Sequence, residues 1–223
     1  MSDEKAGPVR DDLVRGIVKV KDGRGFVLDG CNQIVTAAHC VTRQSNFNPQ
    51  QPWDTTSLRV STLDDSIACT VLVVFMDTMS DLALLGIESL TGGGELVGQF
   101  ADEWQSLMQS VRPLRAELEP PESDAFTLER RVQLFTHEGE WVSGVARICP
   151  RLNQPIMHAT MDKPVTGGTS GSPVFSDSGE VLGLVSNSSD RSTNAVFCDL
   201  RLAMPYWFRI EHEHFREADN DDP

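Results

Sequence analysis

Residues 167–175 read Gly167-Gly168-Thr169-Ser170-Gly171-Ser172-Pro173-Val174-Phe175. Glycines on both sides of a serine permit a tight turn that projects the hydroxyl outward, because glycine adopts left-handed backbone angles without a Cβ penalty. In such a turn the amides of Gly168 and Ser170 converge on one point, the geometry of an oxyanion hole. A Gly-Ser run also suits a flexible linker. Here the apolar Pro173-Val174-Phe175 follows at once, which argues for a turn anchored on a packed strand.

A serine hydroxyl is a weak nucleophile until a base takes its proton, and that base needs an anion to fix its tautomer. Two upstream segments supply these residue types. Thr36-Ala37-Ala38-His39-Cys40 places a histidine directly after an apolar strand, where its ring can face a cleft. Ser80-Asp81-Leu82-Ala83-Leu84-Leu85 opens an apolar strand with an aspartate, and a nearly buried carboxylate needs a hydrogen-bonded partner. Taken singly, each has a plainer reading as a structural histidine or a turn-capping aspartate. The three together, in the chain order His, Asp, Ser, are far more specific. That order differs from the Asp-His-Ser of subtilisins and the Ser-Asp-His of α/β-hydrolases, whose Gly-x-Ser-x-Gly elbow fails at Ser172.

The flanking sequence is rich in short strands broken by turns. Leu13 to Val20 is expected as a strand, followed by the turn Lys21-Asp22-Gly23. Phe26 to Leu28 and Ile34 to Ala37 flank the hairpin dipeptide Asp29-Gly30, and Leu58 to Val60, Ala68 to Met76 and Leu82 to Ile87 complete a first unit. Asn46 to Thr56 reads as a loop and Thr91-Gly92-Gly93-Gly94 as a breaker. Trp104, Leu107, Met108 and Val111 then fall at helical spacing, and such a stripe is expected to pack on a core. Pro113, Pro120 and Pro121 mark a linker. Strands resume at Val132–Thr136, Trp141–Ile148, Ile156–Thr160, Val174–Phe175, Val181–Val185 and Ala195–Cys198. Pro205 is positioned to start a last helix carrying Trp207, Phe208, Ile210 and Phe215, before a solvated tail.

The 223 residues carry 19 basic and 33 acidic side chains, a formal charge of −14, and 39% hydrophobic residues. A core can form without disulfide staples. The charge argues against nucleic acid and anionic membrane surfaces as general partners. The N-terminal MSDEKAGPVRDDLVR has no basic start with an apolar run, and no later stretch is long enough to span a bilayer. A cytoplasmic location is expected, with a trimmed leader as the alternative. Cys31, Cys40, Cys69, Cys149 and Cys198 are odd in number and lack metal-ligand spacing, as reduced thiols would be. His212 and His214 alternate at i and i+2, which on a helix points them to different sides, so no metal is assigned. No cofactor is implied either.

The segments TAAHC, SDLALL and GTSGSPVF resemble the signatures of chymotrypsin-like serine peptidases, over roughly residues 13 to 210. The resemblance implies an all-β fold of two six-stranded Greek-key barrels with the active site in the cleft between them, plus a short C-terminal helix. It divides the chain into a polar segment (1–12), a first barrel (13–95), a helix and proline-rich linker (96–129), a second barrel (130–200), a C-terminal helix (201–216) and an acidic tail (217–223). His39 and Asp81 would come from the first barrel and Ser170 from the second, with the Gly168 and Ser170 amides as oxyanion hole. Ser172 is expected to be a structural hydroxyl.

Finer features are similar to the disulfide-free Deg-type and glutamyl-endopeptidase-like branches. Thr169 stands where digestive enzymes carry an aspartate that captures a new N-terminus. The cysteine that usually pairs with the one after the histidine is absent, with Arg24 near its place. Val165, Val185, Ser186, Asn187 and Ser188 would border the substrate pocket, and its apolar wall points to an uncharged residue before the cut. The implied partner is a protein or peptide substrate. A partner- or substrate-activated protease, or a proteolytically silent scaffold on the same fold, are the competing readings.

Overall fold

The computed structural model describes residues 10–31, 33–42, 57–87, 94–118, 128–148 and 155–205. The expected loop at 46–56, most of the glycine breaker, Cys149, the aromatic helix after Pro205 and the His212/His214 pair lie outside them.

Twelve strands close into two six-stranded antiparallel barrels. The first comprises β1 (Ile17–Val20), β2 (Gly23–Val27), β3 (Ile34–Ala37), β4 (Leu58–Thr62), β5 (Ala68–Asp77) and β6 (Leu82–Gly86), in the spatial order β1-β2-β3-β6-β5-β4. The second comprises β7 (Leu128–Phe135), β8 (Trp141–Ile148), β9 (Ile156–Met161), β10 (Pro173–Phe175), β11 (Val181–Ser189) and β12 (Ser192–Asp199), in the order β10-β11-β12-β9-β8-β7. The β1–β2 hairpin pairs Val20 with Gly23, so Lys21 and Asp22 form its two-residue turn, with Lys21 at φ 50°.

The continuous apolar runs have a physical cause. Side chains alternate across a strand, and here both faces of several strands are covered. In β6, Ala83 and Leu85 point into the interior of the first barrel. Leu82 and Leu84 point the other way, into a second cluster that also holds Phe175, Leu184 and Leu114. Phe26, Val35 and Ala37 join that shared cluster, while Val27 and Ile34 join the barrel interior. Each Val, Leu, Ile or Phe among them, removed from water, contributes about 1.5–3 kcal/mol. The shared layer therefore fixes the two barrels against each other, and that places the cleft.

Two sequence expectations shift. The segment from Leu13 is not one strand: α1 (Arg10–Val14) is a short helix, and the strand begins at Ile17 after the break at Arg15-Gly16. A Cβ at Gly16 would lie 2.4 Å from Leu114, so glycine is required by close packing there. The amphipathic helix is real but longer, α3 (Gly94–Ser110), and begins within the expected breaker. Its Trp104 and Leu107, with the following Val111, are buried on the first barrel, as the stripe implied. The described C-terminal helix is α4 (Leu200–Ala203), ahead of Pro205. Arg201 in it is wholly buried, held bidentately by Asp199 at 2.8 and 2.7 Å.

The segment after Pro113 is ordered by both barrels rather than spanning between them loosely. Leu114 bridges to Leu28 and Ala116 to Val181 in parallel pairings. Leu114 N–H donates to the Val27 carbonyl (2.8 Å), and Val181 N–H donates to that of Arg115 (2.7 Å).

Candidate active site

His39 sits in α2 (Ala38–Thr42), one turn of helix directly after β3. Asp81 precedes β6, which pairs with β3 through Ala37↔Leu82, so strand register alone brings the two residues together. Asp81 adopts φ 58°, unusual for a residue with a side chain. The turn lets its carbonyl accept from Ala38 N–H at 3.0 Å. It also aims the carboxylate at His39. One oxygen accepts the His39 backbone N–H at 2.9 Å, and the other lies 2.8 Å from Nδ1. Ser186, from β11 of the other barrel, donates its hydroxyl to that second oxygen at 2.6 Å.

Burial pushes the Asp81 carboxyl up, but hydrogen bonds from His39 and Ser186 outweigh it and hold the carboxyl below its usual range. The His39 imidazole is raised to about 9, chiefly by the bond to Asp81 and then by the Cys40 thiol, against the opposing effect of burial. With Nδ1–H committed to the carboxylate, the proton that titrates sits on Nε2.

Ser170 lies in the second barrel, on the turn before β10. His39, Cys40, Gly168, Ser170, Lys21, Asp22 and Gly23 line one cavity of about 100 Å³. Its walls come from both barrels. The structure closes no hydrogen bond between the Ser170 hydroxyl and Nε2; the Cys40 sulfur stands 3.8 Å from that nitrogen.

Backbone contacts fix the serine turn. The Ser170 carbonyl accepts from Arg24 N–H at 2.8 Å, and Gly171 N–H donates to the Val185 carbonyl at 2.8 Å. Gly171 has φ 80°, and a Cβ there would lie 2.0 Å from the Arg24 carbonyl oxygen. Gly168 has φ 82°. Among the described residues, no hydrogen bond takes up the Gly168 or Ser170 amide. Ser172 is fully buried behind the turn and does not line the cavity.

The five expected pocket residues divide. Val165 and Val185 are 1% and 0% exposed and belong to the core of the second barrel. Ser186 orients Asp81. Asn187 and Ser188 open onto a groove of about 390 Å³, which Arg147, His158, Thr160 and Asn194 also line. Gly23, one residue before Arg24, faces the thiol after the histidine: a Cβ there would sit 2.5 Å from the Cys40 sulfur. Among the described residues Cys40, Cys69 and Cys198 are free thiols, and burial pushes Cys69 up to about 12. Among the described residues no His, Cys, Asp and Glu group could hold a metal ion.

Sequence reading missed the second role of Ser186 and the contacts that Arg24, His137 and Asp190 make with the serine turn. Gly167 N–H donates to the Asp190 carboxylate at 2.8 Å, and His137 N–H to the Thr169 hydroxyl at 3.0 Å. No motif signals these contacts, because they come from loops remote in the chain.

Comparison with known proteins agrees with this fold. Two solved structures of the Rv3671c protease of M. tuberculosis, both inactive forms, one of them a serine-to-alanine mutant, share the fold. They show TM-scores of 0.52 and 0.50 at 19% and 20% identity, covering 100% and 86% of this chain and 97% and 87% of theirs. The serine endoprotease of Yersinia pestis superposes with a TM-score of 0.56 at 15% identity, over 96% of this chain and 69% of that one. No curated protein matches the chain in sequence. The family model for the trypsin-like peptidase domain matches residues 23–184, which contain His39, Asp81 and Ser170, and the chain belongs to that family.

Proposed function

We propose that this chain is an active serine endopeptidase in which Ser170, His39 and Asp81 form the catalytic triad. The observation that carries the reading is the convergence of groups from two barrels: a carboxylate-paired imidazole and a serine turn on one small cavity. The Ser170 hydroxyl gives its proton to His39 Nε2 as its oxygen bonds to the scissile carbonyl carbon. The Gly168 and Ser170 amides receive the oxyanion. Collapse breaks the carbon–nitrogen bond, His39 protonates the leaving amine, and an acyl-enzyme remains. Water, activated by the same imidazole, then releases the acid and restores the serine. Asp81 stays ionised throughout and orients the ring.

The residue before the cut is proposed to be uncharged. Pro164, Asn187 and Ser188 bring no charge to that side of the turn, and one oxygen of the nearby Asp190 carboxylate accepts from Gly167 N–H. A reducing, intracellular setting fits the free thiols of Cys40, Cys69 and Cys198 among the described residues. Among the described residues, no helix is long and apolar enough to cross a membrane.

Cleavage-site profiling on a proteome-derived peptide library, with the Ser170→Ala protein beside the native one, tests the reading. Ser170-dependent cuts after small or apolar residues are expected. Cuts that persist in Ser170→Ala, or none at all from folded native protein, contradict the assignment. The lack of a hydrogen bond between the Ser170 hydroxyl and Nε2 among the described residues favours a second reading, in which substrate or a partner draws the pair together. A lag or sigmoidal dependence on substrate concentration supports that version; immediate hyperbolic turnover removes it.

A further inference from the structure

We propose that Arg24 and His137 are positioning residues that hold the Gly167–Ser170 turn in its anion-binding shape from across the barrel boundary. The inference rests on the oxyanion role proposed above. Two adjacent glycines give this turn many accessible conformations, and a peptide flip there meets no Cβ. Something outside the turn must therefore select the one in which the Gly168 amide is exposed. Thr169 cannot do so by capturing a charged chain terminus, because its side chain is neutral.

The loop between β7 and β8 meets the turn at two points. The His137 backbone N–H donates to the Thr169 hydroxyl at 3.0 Å. The His137 ring lies against Gly168, where a Cβ would come within 3.0 Å of its Cγ and 3.1 Å of its Nδ1. Thr166 adds a hydroxyl donated to the Glu138 carboxylate at 2.8 Å.

Arg24 holds that loop in turn. Its guanidinium donates to the Phe135 carbonyl at 3.0 Å and the His137 carbonyl at 3.4 Å, and it lies 5.4 Å from the Phe135 ring centroid. Its own backbone N–H holds the Ser170 carbonyl. One residue of the first barrel thus grips the serine from one side and the loop behind Gly168 from the other. Arg24 is only 5% exposed, and its partners among the described residues are carbonyls and a ring face. A cation buried without a counter-ion is a poor stabilising device. Its fork can span two carbonyls at fixed geometry, which a lysine cannot do.

The test compares Thr169→Val, which removes the acceptor at nearly constant shape, with Thr169→Ser, which keeps it, and adds Arg24→Lys. Initial rates on a peptide substrate are read alongside binding of a peptidyl aldehyde, whose hemiacetal oxygen needs the anion site. Thr169→Val and Arg24→Lys are expected to lose about 100-fold in kcat, the scale of one lost oxyanion donor. KM should move less than about 3-fold, aldehyde affinity should fall in parallel with kcat, and Thr169→Ser should recover most of the loss. A Thr169→Val protein that keeps native kcat and aldehyde affinity overturns the proposal. So does an equal loss in Thr169→Val and Thr169→Ser, or a loss confined to KM. If native turnover proves independent of Ser170, the parent reading fails instead, so the two failures remain distinct. Should Arg24→Lys not fold, the Thr169 pair decides alone.

Discussion

Replacing Asp81 with asparagine tests how the proposed triad is oriented. The carboxylate accepts three donors on two oxygens: His39 N–H at 2.9 Å, His39 Nδ1 at 2.8 Å and the Ser186 hydroxyl at 2.6 Å. Asparagine offers one oxygen and one NH₂ group. If the oxygen faced Nδ1, the NH₂ group would meet the His39 backbone N–H donor to donor. The favoured orientation keeps oxygen on that N–H and turns NH₂ toward Nδ1. The ring must then carry its proton on Nε2, where the mechanism needs a lone pair. A triad with this substitution loses about 10⁴-fold in kcat, or roughly 5 kcal/mol of barrier. The imidazole also loses the main cause of its elevation to about 9. Its pKa should return toward the ordinary value of about 6.5. The assay is kcat/KM on a fluorogenic peptide from pH 5 to 10.5. Native protein should gain activity as pH rises through about 9, and Asp81→Asn should be slow with its limb displaced to lower pH. A variant within tenfold of native, or one whose limb stays near pH 9, refutes the reasoning.

Stability should also follow His39. Its folded value lies above the ordinary one, so the native state holds that proton more tightly. The stabilisation is complete below about pH 6.5 and is lost as pH rises through about 9. Thermal midpoints of the Ser170→Ala protein, which cannot digest itself, should fall across that window, and a flat profile contradicts the pairing. Gly171→Ala places a Cβ 2.0 Å from the Arg24 carbonyl oxygen at φ 80°. It should cost about 3 kcal/mol or more and lower Tm by roughly 6 °C or more, as read by thermal denaturation; an unchanged Tm contradicts the tight packing of the turn. Gly23→Cys should form a disulfide with Cys40, since its Cβ would lie 3.5 Å from the Cys40 Cβ, at the cost of displacing the Ser170 carbonyl oxygen, 2.8 Å from that Cβ. A short loop of this size gains about 3 kcal/mol. Intact mass before and after reduction, with Tm under both conditions, checks it; two persistent thiols after oxidation count against the placement.

Much of the fold was legible because strand alternation and turn chemistry are local. Phe26, Val27, Ile34 and Val35 could be placed on a strand pair from the Asp29-Gly30 turn alone, and β8 could be bounded from its apolar run. The Leu13–Val20 segment misled because Leu13 is buried by a short helix, and burial looks the same in sequence whichever element supplies it. The His39–Asp81 contact follows from β3–β6 register, which no single stretch encodes, although both residues flank their strands visibly. Val165 and Val185 read as pocket lining by position, yet both turn into the second core, while Asn187, beyond the register shift after Val185, opens onto the groove. Arg24 was invisible for a different reason. Its partners are backbone carbonyls more than a hundred residues away, and a carbonyl leaves no residue-type signature.

Mapping where a fluorophosphonate attaches tests the central claim most directly. Native protein is treated with the probe, digested and sequenced by mass spectrometry, with the His39→Ala protein treated alongside. A single adduct on the Ser170 oxygen, lost or greatly slowed when His39 is removed, is the expected result. An adduct on Ser172 or elsewhere, or labelling of Ser170 at the native rate without His39, contradicts the account.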